Sequence, residues 1–361
     1  MTHYEERLEK DLIEIRGHVA TMAGLVETMV SNAMQALQSG DTTVAAETVI
    51  SDHPVNRMMR RIDEMCHRFI AVHLPSAGHM RLISSVIRAN IELERIGDYA
   101  VTISREALQF SEPPSGSMGD ELDRVGKETL TMLHKAIQAL NGLDVELARS
   151  TMLMEESMEH NLDMIYAELM ANADRDAVKY LLAIFAVFTQ LKRVADQAKN
   201  LCEEAVFAAT GETKAPKTYN VLFVDRDNSC MSQMATAIAG NNYPESGVFA
   251  SAGKEPAAGL NTTMAAFLRG HGISMEGESP KALDPSPMAL SAHHFIISLE
   301  GPVSDYFESI PFHTTPLAWD VGGITDSGDA QEVSRQFEEA YREIALRVRD
   351  LMETLRGEDA P

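Results

Sequence analysis

Two carboxylates in the first half of the chain have the spacing of a cation site. Glu94 and Asp98 are four residues apart, so on a helix they share one face. Like charges at this spacing destabilise a helix unless something offsets them, and a hard cation bound by oxygen ligands would do so. The same spacing also occurs on solvated acidic faces, here with Arg95 as a local partner. Spacing alone therefore favours the solvated face.

The stretch around this pair occurs a second time in the chain. Residues 93–100 parallel residues 191–198 at an offset of 98, and each stretch ends a group of helical patterns. Lys192 and Asp196 stand at the positions that match the first pair. That face continues with two further oxygen-bearing side chains, Asn200 and Glu203. A duplicated helical unit is the simplest explanation of the repeat.

A second candidate site lies between a strand and a helix in the last third of the chain. Tyr219 to Val224 form a β-branched and aromatic run, and a helical pattern starts near Ser232. The backbone N–H groups of such a loop and helix N-terminus can hold an oxyanion. The loop residues concerned are Asp225, Arg226, Asn228, Ser229, Cys230, Met231 and Ser232.

The elements around the first site are predicted to be helices. From Leu12 to Ala33 the apolar residues recur at alternating spacings of three and four, which is typical of one amphipathic helix. Further helices are predicted over residues 43–73, 80–110, 120–140, 145–170 and 175–209. Breaks at Gly- and Pro-containing stretches divide these into two units of three helices.

The pattern of apolar residues changes after a linker near residues 210–216. Apolar runs predict strands at 219–224, 248–251 and 295–299, and helical patterns lie between and after them, the last at 331–355. Strands that alternate with helices predict a parallel α/β sheet. The predicted domains are residues 1–112, 118–212 and 217–361.

The composition excludes several classes of protein. The chain has 361 residues and a formal net charge of -23, which argues against non-specific binding of nucleic acid and against an anionic membrane surface. No apolar run approaches the length of a membrane span, and the charged N-terminus has no signal core. The three cysteines are far apart and form no CxxC pair. A cytoplasmic protein that is not embedded in a membrane is the prediction.

The two matching stretches, each closing a three-helix unit, resemble the PhoU family of phosphate-uptake regulators over roughly residues 1–212. The resemblance implies two helical bundles, a homodimer, and multinuclear metal clusters bound by carboxylate pairs on the third helix of each unit. Carried over residue by residue, the implied metal ligands are Glu94, Asp98 and Asp196, with Asn200 and Glu203 as additions. The metal would be iron, zinc, or magnesium or manganese. The implied partners are the ATPase subunit of a phosphate transporter and a sensor histidine kinase.

The second repeat departs from the family pattern. Lys192 stands where the family usually has a carboxylate, and a protonated amine is a poor metal ligand. We therefore expect one good metal site, and in the second repeat a depleted site or a contact between Lys192 and a carboxylate.

Residues 217–357 resemble the low-molecular-weight tyrosine phosphatase and arsenate reductase superfamily, whose loop reads Cys-x5-Arg-Ser between strand and helix. In that superfamily a thiolate attacks the oxyanion and the arginine binds its oxygens. Here Asp225 stands at the cysteine position, Met231 at the arginine position, and Glu300 where arsenate reductases have a resolving cysteine. Cys230 comes five residues too late, so a packing role is expected for its thiol.

These substitutions predict a domain that has lost both catalysis and anion binding. Asp225 and Asp227 place negative charge where an anion would sit, and Asp225 could itself accept the N–H groups of the loop. Only Arg226, turned inward, could compensate. The favoured function is a non-enzymatic regulator in which the altered domain is an interaction module. The alternatives are an oxyanion sensor through the altered loop, and a residual phosphatase or arsenate reductase.

Overall fold

The computed structural model describes residues 3–154, 178–214, 216–321, 324 and 330–357. The chain divides into two compact units, Met1–Lys214 and Ala215–Pro361. The helix predicted over residues 145–170 lies partly outside the described residues, as do the break near residue 171 and the start of the helix predicted from 175.

The first unit is entirely helical in its described part. Its helices are α1 (His3–Ser39), α2 (Thr42–Ile50), α3 (Asp52–His73), α4 (Ala77–Ala107), α5 (Gly116–Gly142), α6 (residues 145–154) and α7 (Val178–Thr210). The predicted apolar stripe of α1 is buried, and it belongs to one hydrophobic core to which both repeats contribute. α4 packs against α1, α3 and α7, so the two repeated stretches lie on the central helices of the unit.

The prediction of a single helix over residues 43–73 was wrong, since α2 ends at Ile50 and α3 begins at Asp52. The cause is Pro54, which lacks an N–H, and whose ring would clash with the carbonyl of Ile50 four residues earlier. Proline is well tolerated in the first turn of a helix, so a new helix starts there. The first repeat therefore has four helices where three were predicted.

The second unit is an α/β fold around a four-stranded sheet. The strands are β1 (Tyr219–Asp225), β2 (Gly247–Gly253), β3 (Phe295–Ser298) and β4 (Thr315–Ala318), in the order β2-β1-β3-β4 and parallel throughout. The helices are α8 (Met231–Asn242), α9 (Thr262–Gly270), α10 (Pro287–Ser291) and α11 (Ala330–Arg356). The sequence predicted the parallel sheet but missed β4, an edge strand of four residues that is mostly exposed and contains a proline.

Alternate residues of β1 enter two separate apolar clusters. Val221 and Phe223 pack with residues of α8, α9 and α11, whereas Leu222 and Val224 pack with Ile296 and the residues around α10. This alternation is the period of two that a strand buried on both faces shows. It fixes the register of β1, and thereby places Asp225 at the carboxyl end of the sheet.

No described helix is both long enough and apolar enough to cross a bilayer. This finding covers the described residues alone.

Gly253 allows the loop after β1 to lie against the end of β2. A Cβ atom at this position would be 2.6 Å from the backbone N of Asn228 and 2.8 Å from the carbonyl carbon of Asp227. Both are backbone atoms, which cannot move aside as the end of a side chain can. The close approach of strand and loop therefore requires glycine.

Replacing this glycine should weaken the α/β unit. We expect Gly253→Ala to lower the free energy of unfolding by about 2 kcal/mol, the scale of overpacking in a well-packed region. Urea unfolding followed by the fluorescence of Trp319 measures this, because the chain has one tryptophan and it lies in the apolar cluster of this unit. Gly259→Ala is the control, since a Cβ there meets nothing within 4 Å. Equal urea midpoints for the two variants would contradict the prediction.

Candidate functional site

The carboxylate pair of the first repeat lies where α3 and α4 approach each other closely. Leu93, Ile96 and Gly97 of α4 are buried, and Glu94 and Asp98 lie on the polar side of the same helix. A Cβ on Gly97 would be in van der Waals contact, at 3.5 Å, with Cγ1 of Val55 on α3. This contact brings the first turn of α3, with Asp52 at its first position, next to the pair.

Asp52 is a third carboxylate of this site, and the sequence did not predict it. Its Oδ2 accepts a hydrogen bond of 2.6 Å from Nδ2 of Asn56, whereas its Oδ1 is buried and has no hydrogen-bond partner. Its negative charge acts on both Glu94 and Asp98. The sequence shows the four-residue spacing of Asp52 and Asn56. The prediction of a single helix over 43–73 placed Asp52 in the middle of a helix, however, and gave no sign that it begins one.

Glu94 and Asp98 hold protons more tightly than ordinary carboxylates do. Burial raises the pKa of Glu94 above its ordinary value, and the charges of Asp98 and Asp52 add to this, with Arg95 opposing in part. Burial likewise raises the pKa of Asp98, followed by the charge of Asp52, with Arg105 opposing. The site is therefore a concentration of negative charge that its own arginines do not neutralise.

The chemistry of this carboxylate cluster, Asp52, Glu94 and Asp98, suits a hard cation. Oxygen ligands of this kind take divalent cations, and an unpartnered buried carboxylate oxygen is unfavourable without one. Within the described residues, no three His, Cys, Asp or Glu side chains already stand in the arrangement of metal ligands. Binding would therefore have to draw the side chains inward.

The matching face of the second repeat is arranged differently. Nζ of Lys192 lies 2.9 Å from Oδ1 and 3.2 Å from Oδ2 of Asp196, which is the lysine–carboxylate contact that the sequence predicted. Glu203 is 2.9 Å from Nζ of Lys214. Asn200 donates to Oε1 of Gln197 at 3.0 Å. The charge of Asp196 and that of Glu203 are thus each met by a lysine.

In the second unit, Asp225 fills the centre of the loop that follows β1. Its side chain is 2% exposed. Oδ1 accepts the backbone N–H of Asn228 at 2.6 Å, and Oδ2 accepts that of Ser232 at 2.8 Å. The carboxylate therefore receives the N–H groups that an oxyanion would need, as the sequence suggested it could. Burial raises the pKa of Asp225, and the hydrogen bonds from Ser232 and Asn228 oppose this in part.

Asn228 holds the loop in shape around this carboxylate. It is fully buried and has a left-handed backbone, with φ of 52°. Its Nδ2 donates to Oγ of Ser232 at 2.8 Å, and its Oδ1 accepts from Nε2 of Gln233 at 3.0 Å and from the backbone N–H of Lys281 at 2.7 Å. Asparagine tolerates the left-handed region better than most residues. The loop is thus closed by its own side chains.

The other predicted loop residues provide no cation at the centre. Arg226 is exposed and lies 3.4 Å from Glu255, so it does not turn inward. Met231 is 2% exposed in the apolar cluster, and the half-buried Cys230 packs against the same cluster. Ser229 donates its backbone N–H to Oδ1 of Asp227 at 2.9 Å.

A further carboxylate adds to the negative charge at this end of the sheet. Glu300 follows β3, the neighbour of β1. Burial raises its pKa, and the charge of Asp225 adds to the effect. Because an anion entering the loop would meet Asp225, Asp227 and Glu300, the arrangement disfavours a bound oxyanion.

Comparison with known proteins identifies relatives for both units. The PhoU domain family matches residues 19–107 and 122–205. The low molecular weight phosphotyrosine protein phosphatase family matches residues 220–360. Both resemblances noted in the sequence are thereby confirmed, as are the helical and α/β fold classes.

Individual PhoU proteins are similar to this chain over most of their own length. The phosphate-specific transport system accessory protein PhoU homolog of Pseudomonas putida is 31% identical over 212 residues, which are 58% of this chain and 83% of that protein. Escherichia coli PhoU is 30% identical over 58% of this chain and 88% of its own. The crystal structure of PhoU from Pseudomonas aeruginosa superposes on 56% of this chain over 99% of its own length, at 32% identity and a TM-score of 0.55.

Removing one charge from the carboxylate cluster should stabilise the metal-free helical unit. We expect Asp98→Asn to raise its free energy of unfolding at neutral pH by about 0.2–0.5 kcal/mol, the scale of one relieved like-charge contact. Chemical unfolding in the presence of a chelator, followed by helical circular dichroism, measures the change. Glu92→Gln is the matched control, because Glu92 is on the same helix and pairs with Arg95.

The pH dependence provides a further check on the same variant. The pKa values of Glu94 and Asp98 in the folded state are raised above their ordinary values of 4.5 and 3.8. Their contribution to the free energy of unfolding is therefore fully present below the ordinary values, and it is lost as the pH rises through the raised values. The loss should be smaller in Asp98→Asn than in the wild type. An identical pH profile in the two proteins would contradict the assigned repulsion.

Proposed function

The chain belongs to the PhoU family, and from this premise we propose that it regulates phosphate uptake and phosphate-dependent signalling as a cytoplasmic, non-enzymatic homodimer. The observation that supports the regulatory role is the match of the helical unit to 83% of a phosphate transport accessory protein. The proposed partners are the ATPase subunit of a phosphate transporter and a sensor histidine kinase. The α/β unit acts as an interaction module.

The helical unit binds a metal ion at one of its two repeats. The unneutralised cluster of Asp52, Glu94 and Asp98 supports this proposal, and the buried Oδ1 of Asp52 is an oxygen without another partner. A bound metal would supply the positive charge that the carboxylates of Asp52, Glu94 and Asp98 lack. Iron, zinc, magnesium and manganese all accept such oxygen ligands to differing degrees. The Lys192–Asp196 contact supports a depleted second site.

The α/β unit is proposed to lack catalysis. Cysteine-based phosphoryl and arsenyl chemistry needs a thiolate at the start of the loop, and Asp225 occupies that place with both oxygens hydrogen bonded. The outward Arg226 argues against the oxyanion sensor as well. The hypothesis of a residual cysteine-based enzyme is not favoured either, because the one thiol of the loop, that of Cys230, packs against the apolar cluster.

Deleting the gene of this protein in its own organism tests the regulatory role. We expect deletion to raise the import of labelled phosphate when external phosphate is abundant, because the restraint on the transporter is lost. Re-expression of the wild type or of Glu92→Gln should lower import again. If the metal is needed, Asp98→Asn should lower import less than the wild type does. Unchanged import after deletion would contradict the proposal.

Giving Asp225 and Met231 the residues that the phosphatase superfamily has at these positions tests the proposed cause of lost phosphate binding. In Asp225→Cys/Met231→Arg the N–H groups of Asn228 and Ser232 are released and a cation is added. We expect phosphate to bind this variant at least about tenfold more tightly than the wild type, since one hydrogen bond to a charged group contributes about 1.5–3 kcal/mol. Calorimetric titration of phosphate into the full chain measures it.

Met231→Arg alone is the control for the added charge. Because Asp225 still occupies the loop in this variant, its affinity for phosphate should stay near that of the wild type. Micromolar binding of phosphate by the wild type would contradict the proposal and favour the oxyanion sensor.

A further inference from the structure

A cavity of the α/β unit lies between α8, β2 and the segment that follows α9. Its volume is about 400 Å³, which is within the range of small-molecule sites. The lining comes from α8, from Gly247 and Phe249 of β2, and from residues between 273 and 278. None of residues 225–232 lines it, so this cavity is distinct from the loop after β1.

Gln233 brings a buried amide to the wall of the cavity. The residue is 1% exposed, and its Nε2 donates to Oδ1 of Asn228 at 3.0 Å and to the carbonyl of Ser279 at 3.1 Å. Because a backbone carbonyl can only accept, these two bonds fix which end of the amide is the nitrogen. The other end, Oε1, is left for a different partner.

Oε1 of Gln233 has no hydrogen-bond partner among the described residues. It is also not one of the partnerless atoms that are closed off from solvent, which lie on other residues. Since the residue lines the cavity and is otherwise buried, this oxygen faces the cavity. A buried amide oxygen without a donor is unfavourable, so it points to a ligand that donates a hydrogen bond.

Two further polar side chains of α8 offer acceptors to the same space. Thr236 donates its hydroxyl hydrogen to the carbonyl of Ser232 at 2.9 Å, so towards a ligand its Oγ1 can only accept. Asn241 donates from Nδ2 to Oδ1 of Asn242 at 3.1 Å, which leaves its own Oδ1 as an acceptor. The cavity therefore suits a group that is rich in N–H donors.

The charge of the lining favours a cation. Among the described residues that line the cavity, Glu278 is the one that carries a charge, and none is a lysine, arginine or histidine. Oε2 of Glu278 is 3.6 Å from Nζ of Lys281, which is longer than a hydrogen bond, and both side chains are exposed. The carboxylate is therefore available to a ligand, whereas an anionic ligand would meet negative charge alone.

An aromatic ring forms part of the wall. Phe249 is half-buried and is stacked with Phe223, with ring centroids 6.5 Å apart. A Cβ on Gly247 would be 2.5 Å from Cζ of Phe249, so the glycine is what lets the ring lie against the strand. Aromatic rings attract cations, and the planar guanidinium group also stacks on them, which a compact ammonium group does not.

We propose that this cavity binds a guanidinium group on a short apolar stem. The group has five N–H donors and no acceptor, which matches Oε1 of Gln233, Oγ1 of Thr236 and the carboxylate of Glu278. The stem packs on Ala237 and Met275 of the lining. Two sources carry this group, a free guanidino compound and an arginine side chain of another protein. The proposal does not depend on the proposed function of the chain.

Calorimetric titration of propylguanidinium into the full chain tests the site. We expect a Kd of about 1 mM or below at low salt, which a ligand of this size can reach in a fitting pocket. Propylurea has the same shape without the charge, and it should bind about tenfold more weakly, because hydrogen bonds from a charged donor are roughly twice as strong. Rising salt should weaken the binding of propylguanidinium alone.

A third probe, N-acetyl-arginine methylamide, distinguishes the two sources of the group. Tighter binding of this probe than of propylguanidinium assigns the site to an arginine side chain of another protein, because the flanking backbone then adds contacts. Weaker binding assigns it to a free guanidino compound. Both results support a guanidinium site.

Variants locate the binding, since a chain with a net charge of -23 offers a cation other places. Ala237→Leu fills the cavity from α8 and should weaken binding by about tenfold or more, because the pocket buries most of the surface of a small ligand. Glu278→Gln should weaken it by about two- to fivefold, the scale of an exposed ion pair. Glu276→Gln is the matched control, because Glu276 is exposed in the same segment and does not line the cavity.

Three results would overturn the proposal. The first is no heat from propylguanidinium at about 10 mM, tenfold above the expected Kd. The second is equal binding of propylurea, which would show that the cation is not recognised. The third is equal binding by the wild type, Ala237→Leu and Glu278→Gln, which would place the cation elsewhere on the chain. Unfolding followed by the fluorescence of Trp319 shows whether Ala237→Leu is folded, and the Glu278→Gln and Glu276→Gln pair decides the matter if it is not.

Discussion

The contact between α3 and α4 at Gly97 brings three carboxylates of the helical unit together. With no side chain on Gly97, Val55 approaches α4, and the first turn of α3 follows it. Asp52 then stands beside Glu94 and Asp98, and three carboxylates share a half-buried site. A Cβ at position 97 would already be in van der Waals contact with Val55, at 3.5 Å, so the two helices lie close together at this point. Packing of two apolar faces thus creates the charge cluster.

In the α/β unit, by contrast, hydrogen bonds stabilise the negative charge of a buried carboxylate. At the end of β1 the loop supplies backbone N–H groups, and the carboxylate of Asp225, from the same chain, accepts them. Since Gly253 lets this loop lie on β2 and Asn228 holds its turn, the carboxylate occupies a closed and satisfied site. The carboxylate cluster of the helical unit lacks positive charge, whereas the loop of the α/β unit has no room for more negative charge.

What the sequence predicted correctly was local or periodic. The buried stripe of α1 follows from a spacing repeated over many turns, and the Lys192–Asp196 contact joins residues one turn apart on one helix. Asp225 accepting the N–H of Asn228 is likewise a contact between near neighbours. Asp52 was missed because its place in the cluster depends on how two helices pack, and because Pro54 was not read as a helix boundary. The outward direction of Arg226 depends on a surface partner, Glu255, 29 residues away, which no local pattern specifies.

The two sites together bear on how phosphate could act on this protein. The carboxylate cluster repels an anion, and in the loop Asp225 already accepts the N–H groups that an anion would need. Among the described sites, then, neither suits free phosphate as a ligand. Under the proposed function, phosphate would therefore act on this chain through other proteins that bind it. The surfaces by which the chain contacts those proteins then carry the regulation.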